Sequence, residues 1–167
     1  MELESELKAR FSNVFIMLLY SVITKDLNKV KHFISDDICN KYQSIIDTLI
    51  SNNETQLYDE LNVGEIRILK QETVNDKVRV NVQLEARCLD YIVDSEGKFK
   101  RGNDKHRVPV NYYLIFEKDI NAESKNFYRC ANCGNNLDIN FTGECPYCNK
   151  VVDVDDFEYQ LVSIEKI

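Results

Sequence analysis

Apolar positions along this chain keep one period in the first third and another afterwards. From residue 7 to about 23 they recur at Leu7, Phe11, Val14, Phe15, Leu18 and Val22, one stripe of a 3.6-residue helix. Ile16, Met17 and Leu19 widen that stripe, which predicts a helix covered on more than one side. Asp26 can cap a short second helix with Leu27, Val30, Phe33 and Ile34 inward. Ser35, followed by Asp36 and Asp37, opens a third helix, buried through Ile38, Tyr42, Ile45, Ile46 and Leu49 and ending near the polar cluster at 51–55.

After that cluster the period drops to two. Residues 78–88 place Val78, Val80, Val82, Leu84, Ala86 and Cys88 on one side and Arg79, Asn81, Gln83, Glu85 and Arg87 on the other. This predicts a half-buried antiparallel strand. A strand over 64–73 precedes it across an Asn75-Asp76 turn, and a polar loop over 94–105 follows it. A third strand is expected in 107–119 and a fourth in 157–167. Helices followed by a run of antiparallel strands predict an α+β domain with helices on one face of a curved sheet.

Between the third and fourth strands, where a turn would suffice, stands CANCGNNLDINFTGECPYC. Its cysteines form two Cys-x-x-Cys knuckles, Cys130/Cys133 and Cys145/Cys148, the pattern of a closed tetrahedral four-cysteine site with Zn–S bonds of about 2.3 Å. Gly134 and Asn149 follow the knuckles and tolerate left-handed backbone, and Pro146 stiffens the second. One structural Zn2+ per chain is therefore expected, in a ribbon over 127–156 inserted into a domain made of 1–126 and 157–167. Four thiolates leave no coordination position for water, so a catalytic metal is disfavoured, and a redox dithiol would need only one such pair. The leftover Cys39 and Cys88 read as small buried apolar residues.

Charge narrows the partners. Of 167 residues, 28 are acidic and 21 basic, a formal net charge of −7, and a zinc held by four thiolates would add −2. Such a surface repels phosphate backbones, and Asp138, Glu144 and the acidic run 153–156 outweigh Arg129 and Lys150 in the ribbon, so nucleic acid is disfavoured. No continuous apolar run approaches a membrane span, and the opening MELESELKAR lacks a basic leader. The expectation is an intracellular, cytoplasmic protein, with a peripheral place at a membrane surface as an addition. The richest basic stretch, 98–107, offers Lys98, Phe99, Lys100 and Arg101 as contacts for a membrane or a protein partner, against the plainer reading of a solvated loop.

The opening FSNVFIMLLYSVITKDLNKVKHFISDDICNKYQ resembles the first helices of the lipid-binding-like domain in the matrix anchor of the mitochondrial inner-membrane translocase. Bacterial relatives in that Tim-type family can carry a ribbon such as CANCGNNLDINFTGECPYC before the last strand. The likeness runs over about the whole chain. It implies a cone of the nuclear-transport-factor-two-like (cystatin-like) type, three N-terminal helices on a curved antiparallel sheet with an apolar pocket between them. It also implies membrane-proximal docking and protein contact rather than catalysis. The chain's own residues agree on the last point. His32 and His106 have no carboxylate orienter fixed by sequence, Asp90 and Tyr91 form an ordinary strand-end pair, and no catalytic motif is present. The expected function is a non-catalytic docking module that binds a protein segment or a lipid acyl group through its cone pocket or sheet face, braced by the zinc. The alternatives are a small-molecule enzyme using the pocket and a nucleic-acid-binding ribbon.

Overall fold

The computed structural model describes residues 4–120, 133, 135, 145, 147–149 and 159–167. Helix α1 spans Glu4–Thr24 and helix α2 Asp36–Ser51, and four strands follow: β1 Thr55–Val74, β2 Lys77–Val93, β3 Phe99–Asp119 and β4 Gln160–Lys166. They form one antiparallel meander in the order β1-β2-β3-β4. The expected α+β arrangement, helices followed by an antiparallel sheet, is what the chain adopts.

The stripe read for α1 is its buried face: Leu7, Phe11, Val14, Phe15, Leu18 and Val22 are all enclosed, together with Leu19. Phe11 stacks on Phe116 of β3 with ring centroids 4.1 Å apart, and Phe15 meets Tyr112 edge-on at 4.9 Å. Leu84, Leu114 and Leu161 complete this core without exposure. Each such side chain contributes about 1.5–3 kcal/mol by leaving water. Helix α1 also has the length and hydropathy to cross a bilayer, a property that its interrupted apolar run conceals. Its apolar face is committed to the sheet instead.

Both helices stop the same way. In α1 the Asp26 N–H reaches the Ser21 carbonyl (3.0 Å) and the Lys25 N–H that of Val22 (3.3 Å), with Lys25 left-handed at φ 61°. In α2 the Glu54 N–H reaches Leu49 (2.9 Å) and Asn53 reaches Ile50 (3.1 Å), with Asn53 at φ 54°. This is the paired bonding of a Schellman stop, which uses orphan carbonyls of the last turn. Ser35 caps α2 as expected, its hydroxyl accepting from the Ile38 N–H at 3.3 Å. Ile38, Tyr42, Ile46 and Leu49 are the buried face of α2, whereas Ile45 lies beside it and is exposed.

Three expectations need correction. The second helix is a single 3-10 turn, Lys31–Phe33, because Asp26 uses its carboxylate on the Asn28 N–H in a local turn. Strand β1 begins at Thr55 rather than residue 64. Its first half was masked by register shifts between Asp59 and Asn62 and between Val63 and Ile66, which break the alternation. The polar loop over 94–105 is mostly strand: β2 runs to Val93, β3 starts at Phe99, and Asp94 closes the turn by accepting from the Lys98 N–H. Asn75-Asp76 is the tight turn predicted, both residues having positive φ.

Candidate metal centre and hairpin surface

Between the end of β3 and the start of β4, the Sγ atoms of Cys133, Cys145 and Cys148 lie within 4.8 Å of one another. The Cys133–Cys145 sulfur separation is 3.7 Å. Two thiolates on a tetrahedral zinc stand about 3.8 Å apart, so this spacing is that of a metal-ligand pair. Cys145 is enclosed and Cys133 exposed. Burial pushes the Cys145 thiol up to about 11, against the smaller opposing pull of the Cys148 and Tyr147 backbone N–H groups.

The backbone explains how the second knuckle turns. The Asn149 N–H returns to the Cys145 carbonyl at 2.8 Å, and Asn149 is left-handed at φ 60°, as its residue type suggested. From the other knuckle, Asn135 Nδ2 points at Cys133 Sγ from 3.5 Å, a donor suited to a thiolate. Three expected ligands are thus together and form a group able to hold a metal ion. The fourth, Cys130, lies outside the described residues, as do Gly134, Pro146 and most of the expected ribbon.

The basic segment has a different geometry from the solvated loop expected of it. Lys100 and Arg101 are on β3 and both turn to Glu54, which is 3% exposed. Arg101 grips the carboxylate with two nitrogens at 2.9 and 3.1 Å, and Lys100 Nζ is 3.2 Å away. The Arg101 hydrogen bond, with help from Lys100, holds the Glu54 carboxyl down at about 2 against the opposing pull of burial. Lys98 pairs in the open with Glu96, and Phe99 is 49% exposed. Beyond them, Cys88 pairs with Val108 and Asp90 with Asn103, so residues 104–107 bulge out of β3 opposite Leu89. The bulge is held by Asn103, whose Oδ1 accepts from the Lys105 and His106 N–H groups, and it exposes Lys105, His106 and Arg107.

A family model for the Tim44-like domain matches residues 4–131. The chain belongs to the Tim44-like domain family. No curated protein matches it. The Tim44-like match covers both helices and strands β1 to β3 and stops at residue 131, so Cys133, Cys145 and Cys148 lie beyond it.

Within this Tim44-like domain the residues weighed for acid–base chemistry have defined surroundings. Asp90 accepts from Gln56 (2.7 Å) and faces Lys166 (3.7 Å), and the Tyr91 hydroxyl donates to Asp59. His32 and His106 are on separate elements, the 3-10 turn and the β3 bulge. A cleft of about 60 Å³ between Glu65, Arg67, Gln83, Glu85 and Asn111 is lined by polar side chains, with Arg67 held by Glu65. Sequence reading missed Glu54. It follows the last turn of α2 in a polar cluster whose residues have no periodicity, and only the fold brings Arg101, 47 positions on, against it.

Proposed function

We propose that this Tim44-like domain is a non-catalytic docking module, taking a protein segment or the acyl and headgroup region of a membrane through its cone pocket or sheet face. A structural Zn2+ held by Cys130, Cys133, Cys145 and Cys148 braces the sheet end. The observation that carries the reading is the composition of the β2–β3 hairpin end. Phe99 is exposed next to Lys98 at the tip, and Lys105 and Arg107 are exposed in the bulge further along the same strand, while Asp90 and Asp59 are engaged by Gln56 and Tyr91. An exposed apolar side chain on a hairpin that also exposes cations suits an anionic surface.

The fit of the thiol cluster to zinc is one of distance and donor type: two sulfurs at ligand spacing and a third within 4.8 Å, one of them enclosed, with an amide donor behind. Zinc bound there would supply no reaction chemistry. It would tie the ends of β3 and β4 together where the inserted residues leave too little apolar surface for a core.

The test is co-sedimentation of the zinc-loaded protein with neutral and anionic vesicles across a salt series. Salt-sensitive binding to anionic vesicles, abolished by Lys98→Glu with Lys105→Glu and Arg107→Glu, supports the membrane arm. Because Lys100 and Arg101 hold Glu54, reversing them would disturb the fold and is the wrong probe. Absence of binding to both vesicle types leaves protein docking, and turnover of a small molecule by the purified chain would overturn the reading.

A further inference from the structure

The sulfurs of the thiol cluster differ in their access to solvent. Among the described cysteines Cys133 alone is exposed. Cys148 is half-buried, and Cys145 is fully enclosed although its sulfur stands 3.7 Å from that of Cys133, in contact with it. A reagent in solution therefore meets the Cys133 sulfur first, with a second sulfur directly behind it that the reagent does not reach. Asn135 Nδ2 stands 3.5 Å from Cys133 Sγ as a donor to the exposed sulfur. The Asn149 N–H bond to the Cys145 carbonyl, at 2.8 Å, fixes the backbone that carries the enclosed one.

A metal clip needs only that its ligands converge, and it is served as well by sulfurs that are all enclosed. A thiol that responds to an oxidant needs more. It must be accessible, and a resolving thiol must touch it, so that the first oxidation product is captured as a disulfide before it is oxidised further. Cys133 and Cys145 meet both conditions. Cys88, buried on β2, fails the first, and no described thiol but those of the cluster has a second sulfur grouped with it.

We propose that Cys133 and Cys145 form a site of two-electron oxidation by a hydroperoxide, with Cys133 as the attacking sulfur and Cys145 as the resolving one. In the first step an S–O bond forms at Cys133 and the O–O bond breaks. The Cys133 proton leaves with the second peroxide oxygen, as water from hydrogen peroxide or as an alcohol from an organic hydroperoxide. In the second step the Cys145 sulfur attacks the Cys133 sulfur, an S–S bond forms and the S–O bond breaks. The Cys145 proton leaves with that oxygen as water, and the two electrons lost by the sulfur pair have reduced the peroxide. The same sulfurs are ligands in the zinc reading above, and the inference rests on that reading for one consequence. A disulfide no longer offers thiolates, so oxidation releases the ion.

The test uses the full chain, fully reduced, in two forms: stripped of metal and loaded with Zn2+. Each is treated with hydrogen peroxide, alkylated and mapped by mass spectrometry. In the metal-free form the expected product is a Cys133–Cys145 cross-link, with Cys39 and Cys88 still alkylated; this arm does not depend on zinc. In the loaded form the same cross-link forms with loss of the bound Zn2+, read with a chromogenic chelator, and dithiothreitol restores binding. Cys133→Ser loses the cross-link. Cys145→Ser leaves a sulfenic acid at Cys133 that dimedone labels, a readout that survives the loss of metal binding in that variant. A disulfide between any other pair, oxidation of Cys39 or Cys148 ahead of Cys133, or thiols that survive the peroxide would overturn the proposal. A chain that takes up no zinc yet forms the Cys133–Cys145 cross-link would remove the metal centre and leave the oxidation site standing.

Discussion

Glu54 and Arg101, 47 residues apart, meet in a two-pronged ion pair with both nitrogen–oxygen distances at or near 3 Å. The backbone N–H of Glu54 closes the stop of α2, and Arg101 lies on β3 opposite Ile92 near the tip of the β2–β3 hairpin, so this one contact fixes the hairpin to the helical layer. Its carboxyl is held at about 2, against an ordinary value of 4.5. A depressed carboxyl stabilises the fold fully above its unfolded value and loses that contribution as pH falls through the folded one. The urea midpoint should therefore drop between pH 4.5 and 2, and Glu54→Gln should lower it at pH 7 and flatten that part of the profile. Arg101→Met should lower the midpoint more than Lys100→Met, because the Arg101 hydrogen bond is the larger influence on Glu54.

Gly102, beside that arginine, has φ at 105° and no room for a side chain. A Cβ there would stand 2.6 Å from Tyr91 Cα and closer still to the Asp90 carbonyl oxygen, both backbone atoms of the paired strand. Gly102→Ala should destabilise the protein by about 2–4 kcal/mol, combining backbone strain with overpacking. The loss belongs to the hairpin end, so amide exchange at 99–103 should accelerate more than at 110–116. Uniform acceleration across β3 would contradict this assignment.

The parts of the fold legible in the sequence are those where one face must be apolar. Helix α1 and strand β2 have a buried side along most of their length, and Leu7 to Val22 and Val80 to Cys88 show it at the right period. From Phe99 to Arg107 every residue but the half-buried Asn103 is exposed, so no face of this segment has to be apolar and alternation gives no signal. The hairpin strands are held by backbone pairing, by Gly102 and by the Glu54 contact, none of which has a local pattern. The grouping of Cys133, Cys145 and Cys148 was legible for the opposite reason: knuckle geometry depends on residues two or three apart.

Lys25 is a lysine in the left-handed position where a helix stop favours glycine. The Schellman bonds of α1 are complete, so the only cost lies in the crowding of its Cβ. Lys25→Gly should raise stability by about 0.5–1 kcal/mol, read as a shift in urea midpoint with an unchanged slope. Asn53→Gly, at the matching position of α2, should give a smaller gain, since asparagine tolerates this backbone better. A loss at Lys25→Gly would mean that the lysine side chain, rather than its backbone, matters there.

The thiol cluster predicts a separation between metal content and fold. The enclosed core of Phe11, Phe15, Leu84, Leu114, Phe116 and Leu161 includes none of the ligand cysteines. Removing zinc with a strong chelator should therefore leave the far-UV circular dichroism of the helices and sheet largely intact. Thermal stability should fall, because β4 loses its tie at the inserted end. Cys145→Ser should reduce bound zinc from one per chain to near none: Cys145 is the enclosed member of the cluster, and a hydroxyl there is a poor replacement for a thiolate. Cys39→Ser, remote from the cluster by element and only half-buried, should keep the full metal content. Elemental analysis of the two variants after identical purification checks both statements, and zinc retained at full stoichiometry by Cys145→Ser would remove the cluster as the metal centre.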